Sequence, residues 1–158
     1  MFEMFKATIS KFKNSDENLK NEEIKNEEIK ALNSIVALLV EAASIDGEIG
    51  LDEKNQIKTI LIDQLNLETK KTDEILEETI SNSSEQIEIW SKTNDIRKEL
   101  DYEERLNILE LMWEIVLVDD IIDVFEAQLM RRVSGLLYIS DIDSGNSKKR
   151  AIQKLKNN

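Results

Sequence analysis

Six carboxylates fall into two matched sets. Glu41, Asp46 and Glu53 are answered by Glu114, Asp119 and Glu126, each 73 residues further along the chain. The apolar residues around them match as well: Ile35, Leu38 and Leu39 correspond to Ile108, Leu111 and Met112, and Ile45, Leu51 and Ile57 to Val118, Val124 and Met130. The chain therefore reads as a duplicated helical unit, each copy running from an apolar helix end through an acidic turn into a new helix. Carboxylate oxygens at such a turn suit hard divalent cations such as Mg²⁺, Ca²⁺ or Mn²⁺.

The rest of the composition narrows the chemistry further. There is no histidine and no cysteine, which removes the commonest general base, the usual transition-metal ligands and most hydrolytic triads. Covalent catalysis has little to work with, and the sequence is not expected to be an enzyme. A carboxylate-based hydrolase would need a metal-bound water and a cation to steady the transition state, for which Arg105 is the one candidate.

Three readings of the acidic turns stand open. In the first they are structural: Gly50 and Asp123 are helix N-caps, and Glu53 and Glu126, at the third helical position, reach back to the cap N–H. In the second they bind a divalent cation, because Asp46 and Asp119 sit just past helix C-termini, where exposed carbonyls already disfavour a carboxylate. In the third they dock a basic partner, and the lysine-rich end of the chain can itself be that partner. An ordinary calcium EF-hand is not expected. Asp46 to Glu53 fits the closing positions of that loop, but Ala42 and Ser44, like Ile115 and Leu117 in the second copy, stand where its first carboxylates belong. Asp120 also replaces the turn glycine.

The elements that must carry these turns are helices. The 158 residues include no proline, four glycines and 34% charged residues, which is the profile of an all-α domain with a single core. A long helix is predicted from Glu22 to Ile45, stopped at Gly47, followed by helices over Leu51–Gln64 and Glu68–Ile80. A further helix carries Ile87, Trp90 and Ile96 on its apolar face. Asp101 with Glu104 opens the next, from Tyr102 to Val118, whose apolar residues cover so much of its circumference that it should be the central, most buried helix. Val124–Tyr138 is helical, Ser140–Asn146 reads as a loop, and a basic amphipathic helix with Ile152 and Leu155 closes the chain. Its lysine run reads as a solvated face. The expected fold is a single helical bundle of about seven helices built from two pseudo-repeated units, over residues 22–158.

Residues 1–21 are expected to be separate. Phe2, Phe5, Ile9 and Phe12 recur at helical spacing and form an apolar stripe, followed by a polar linker. That stripe suits either docking on the body, a protein partner or a peripheral membrane contact. The N-terminus lacks the continuous apolar core of a signal peptide, and the longest apolar run, Ile35 to Val40, is too short to cross a bilayer, so a cytoplasmic location is expected. Net charge is −12, with residues 1–13 at +2, residues 144–158 at +5 and the body between them at −19. An acidic body disfavours nucleic acid.

With the Ala42-Ala43-Ser44-Ile45-Asp46-Gly47 turn, Glu53 seven residues after Asp46, the Glu104-Arg105 start of the central helix and the second Asp119 to Glu126 copy, the chain resembles the TerB-like family of tellurite-resistance proteins. The resemblance covers about residues 28 to 155. It implies an all-helical fold of two packed repeats, shared with the N-terminal region of a membrane-anchored DnaJ-type co-chaperone. It also implies that Glu41, Asp46, Glu53, Glu114, Asp119 and Glu126 are the acidic positions suspected of holding a metal. A stress-response or envelope-associated assembly with a protein partner is the corresponding expectation. The Asp119-Asp120 sequence departs from Asp-Gly, which puts the second turn's site in doubt.

Overall fold

Helix-forming residues run almost unbroken through this chain, and the computed structural model is all-α. It describes residues 19–45, 47–82, 88–119 and 121–157, with nothing said of the side chains of 19–25 and 119. The aromatic stripe at Phe2, Phe5, Ile9 and Phe12, and the turn residue Asp46, lie outside the described residues. Seven α-helices are present among those described: α1 (Leu19–Ser44), α2 (Leu51–Thr59), α3 (Thr69–Asn82), α4 (Ile89–Glu99), α5 (Tyr102–Val116), α6 (Val124–Leu136) and α7 (Asp141–Lys156). Among the described residues there is no strand, and no helix is long and apolar enough to cross a membrane.

The core is built on α5. Leu109 and Leu111 are fully buried, and so are the flanking Ile108 and Met112, because apolar side chains leave this helix in every direction. On one side it packs against α1, whose Ile35, Val36, Leu38 and Leu39 are equally buried. On another it packs against α7. At about 25 cal/mol per Å² of apolar surface, each of these leucines contributes roughly 1.5–3 kcal/mol by leaving water.

Helix starts follow the capping logic of the sequence. Asp101 accepts from the Glu104 N–H at 2.9 Å, and Glu104 returns to the Asp101 N–H at 3.1 Å. Removing that cap with Asp101→Ala is expected to lower stability by about 1 kcal/mol in urea unfolding. Just past the long helix, Gly47 stands at φ +140° within the first acidic turn, a conformation open to glycine.

Three elements differ from the sequence reading. The predicted Leu51–Gln64 helix loosens at Ile60, where a five-residue π segment, Ile60–Gln64, closes with Leu65 N–H donating to the Ile60 carbonyl five residues back. In α4 the buried residues are Ile89, Thr93, Asp95 and Ile96, whereas Trp90 is 60% exposed. Asp95 turns inward because Ser34 Oγ donates to it at 3.1 Å and Lys30 lies 3.6 Å away, both from α1. Finally, residues 141–146 are helical, not a loop. Ser140 caps them by accepting from the Asp143 N–H, and the Tyr102 hydroxyl donates to the Asp143 carboxylate at 2.5 Å.

Candidate functional site

Helix direction decides which charges meet. Tyr102 meets Asp143, Glu110 meets Arg150, and Glu114 meets Lys154, so α5 and α7 run parallel. The basic end of the chain is thereby carried to the end of α5, beside the 3₁₀ turn Leu117–Asp119 that opens the second acidic stretch. Glu110 and Glu114 are one helical turn apart on α5, and Arg150 and Lys154 have the same spacing on α7, so the two pairs face each other. Arg150 Nε donates to Glu110 Oε1 at 2.6 Å and Lys154 Nζ to Glu110 Oε2 at 3.0 Å, with Lys154 also 3.7 Å from Glu114 Oε1. Lys148 stands 5.2 Å over the Trp113 ring. The lysine run is therefore partly a packed face, unlike the solvated one expected, since buried carboxylates on α5 draw it in.

The six sequence-predicted carboxylates fare differently. Glu53 folds back on the Gly50 N–H, and Glu126 on the Asp123 N–H at 3.4 Å, while Asp123 accepts from the Glu126 N–H at 2.8 Å. The two cap residues have nearly the same backbone, φ −78° and ψ 167° at Gly50 against −80° and 173° at Asp123. Glu41 is half-buried near the end of α1. Glu114 is only 7% exposed, and its Oε2 is buried without a hydrogen-bond partner. The side chains of Asp46 and Asp119 lie outside the described residues. Among those described, no three Asp or Glu side chains converge closely enough to form a metal cluster.

One contact ties the two halves of the pattern together. Gln56 Nε2, on the helix that follows the first turn, donates to the Glu114 carbonyl at 3.0 Å, on the helix that leads into the second. Gln56 Oε1 is buried there without a partner. Gln56 Oε1 thus lies at the junction of α2 and α5, and Glu114, whose carbonyl Gln56 reaches, carries a second buried acceptor oxygen without a hydrogen-bond partner. Oxygen acceptors of this kind are the donor type that a hard cation prefers, although the described residues bring no three carboxylates together.

Chain comparison agrees with the fold and the motifs. The family model for the tellurite resistance protein TerB matches residues 32–149. The chain belongs to the TerB family. Curated proteins and solved structures gave no match. The TerB match takes in all six carboxylates, Gln56 and Glu110, and it ends just before Arg150 and Lys154.

Burial raises the Glu114 carboxyl above its ordinary value of 4.5, Lys154 and a hydrogen bond from Gln64 oppose that rise, and Glu110 adds to it. Glu104 is also raised, chiefly by burial. For a raised carboxyl the folded chain binds the proton more tightly than the unfolded one, so stability falls as pH climbs from 4.5 through the folded value. Glu114→Gln is expected to flatten that fall, read from urea midpoints taken at a series of pH values from below 4.5 to neutrality. An unchanged slope would mean that Glu114 ionises as freely as in water.

Sequence reasoning missed Glu110 and Gln56, whereas Arg150 and Lys154 belong to the basic end that it offered as a partner for acidic residues, though not for Glu110. The signal was present as two carboxylates one turn apart on the most apolar helix, matched by two cations at the same spacing on the last. Arg105, the candidate for a hydrolytic cation, is engaged with main chain: Nη1 donates to the Leu137 carbonyl at 2.7 Å and Nε to the Asp101 carbonyl at 3.3 Å.

Proposed function

We propose that this TerB-family chain is a non-catalytic, acidic interaction module that takes a divalent cation at its paired turns. Its setting is a cytoplasmic stress-response or envelope-associated assembly with a protein partner. The observation that carries the cation reading is the buried, unpartnered Glu114 Oε2, with Gln56 Oε1 at the same helix junction. A carboxylate oxygen removed from water without a partner is costly, and a bound cation relieves that cost. The tellurite-resistance description of the family supports the stress setting. The main-chain engagement of Arg105 lends no support to hydrolysis.

A second reading, a protein-interaction domain without metal, is favoured by Glu53 and Glu126 serving as helix caps. Thermal unfolding after chelator treatment, with Ca²⁺, Mg²⁺ or Mn²⁺ restored at matched ionic strength, separates the two. Matching matters because any salt relaxes an acidic chain. A specific ion at one hundred times its dissociation constant is expected to add about 2.7 kcal/mol, a rise of roughly 5–10 °C. Equal small effects from all three ions would favour the metal-free reading.

A further inference from the structure

Nine large apolar side chains are exposed among the described residues, and four of them fall on the stretch that leads from α5 into α6: Val118 at 39%, Ile121 at 75%, Val124 at 68% and Phe125 at 66%. The turn before α2 shows that the fold does not require them. Counted from the matching helix caps, Gly50 and Asp123, Glu48 holds the place of Ile121 and Asp52 the place of Phe125, and both acidic residues are exposed as well. A charged residue is thus accepted at each position. In the first turn of a helix a carboxylate is favoured by the unpaired N–H groups, so Phe125 forgoes that stabilisation and leaves a ring in water. Core packing does not account for Ile121 either, because the residue here that packs on the core is its neighbour Ile122.

Resting on the interaction-module reading above, we propose that Val118, Ile121, Val124 and Phe125 are a docking surface for a basic amphipathic helix of a partner protein. Grouped exposed apolar side chains mark such surfaces, and the charge along this stretch selects the partner. From Leu117 to Met130 the chain carries Asp119, Asp120, Asp123 and Glu126 and no lysine or arginine; the next cations, Arg131 and Arg132, come more than a turn beyond Phe125. An apolar stripe edged with lysine or arginine meets both features at once. Its apolar side chains cover Ile121 and Phe125, and its cations answer the carboxylates. A second copy of this chain would set the same four carboxylates against one another, in a chain of net charge −12. An anionic lipid surface is opposed by the same repulsion. At the turn before α2, acidic residues replace the apolar pair and Leu51 is the one exposed large apolar residue, so the partner selects the second turn.

The probe is a synthetic helical peptide of leucine and lysine with its leucines on one face, titrated against the full chain and read by fluorescence anisotropy. Ile121→Glu with Phe125→Asp, which copies the residues of the first turn, is expected to bind it about tenfold more weakly than wild type. Attraction between opposite charges alone predicts the reverse, because the variant is the more negative of the two. Phe125→Ser leaves the charge unchanged and is expected to weaken binding about threefold, which keeps the test valid should the double variant fold poorly. A peptide with glutamate in place of lysine is expected not to bind; equal binding of both peptides would overturn the selection by charge. If the lysine peptide binds wild type and both variants alike, the apolar surface is overturned while an acidic interaction module stands. If it binds none of them, the interaction reading falls as well. Wild type that dimerises in sedimentation, where the double variant stays monomeric, would make a second copy the occupant and overturn the partner proposed.

Discussion

Replacing both cations of the last helix, Arg150→Met with Lys154→Met, is expected to lower stability by about 3–5 kcal/mol. The cause is Glu110, whose side chain is 5% exposed and whose two oxygens each hold one of these cations. Without them a desolvated carboxylate is left beside Glu114, itself buried. The cations are 43% and 38% exposed and lose little by returning to water, so the penalty lies almost wholly on the acidic side. Adding Glu110→Leu to the double variant is therefore expected to recover most of the loss, since an apolar residue of similar size removes the stranded charge. Urea midpoints read both effects. A double variant that loses less than about 1 kcal/mol would place Glu110 in the class of weak surface pairs.

Leu109→Ala is the second large effect. Leu109 is fully buried at the middle of α5, the helix that packs against both α1 and α7. Truncation removes the transfer energy of the lost carbons and leaves a cavity that rigid helices cannot close, at a cost of about 2–5 kcal/mol. For a domain of this size the midpoint of thermal unfolding is expected to fall by roughly 5–20 °C. A fall of only a degree or two would mean that the helices collapse around the gap.

Much of this architecture could be read from residue order. The spread of Leu106, Leu109, Met112, Trp113 and Val116 around a helix announces burial on all sides, and Asp101 with Glu104 and Asp123 with Glu126 mark helix starts that the structure realises with both reciprocal bonds. These signals are local, and local chemistry suffices for them. What escaped was decided by partners distant in sequence. Residues 141–146 are polar and include Gly145, so their own propensity favours a loop, yet the distant Tyr102 hydroxyl, added to the local Ser140 cap, holds them in α7. The same holds in α4, where Trp90 turns outward because Ser34 and Lys30 of α1 draw Asp95 in. The π turn at Ile60–Gln64 has no sequence mark that periodicity could detect.

The candidate site divides along the same line. Glu53 and Glu126 were legible as caps because their partners lie three residues away. Glu114 was legible as an acidic position, but its burial, its link to Gln56 and its pairing with Lys154 depend on α2 and α7 folding against α5.

The cation reading is tested most directly by calorimetric titration of the chelator-treated chain with Ca²⁺, Mg²⁺ and Mn²⁺, alongside Asp46→Asn with Asp119→Asn and, separately, Glu114→Gln. Saturable binding of one of the three ions to wild type, abolished or weakened at least tenfold in both variants, is the expected result. Absence of saturable heat for all three ions, or the same affinity in wild type and both variants, would contradict it and leave the carboxylates as helix caps and partners for the last helix.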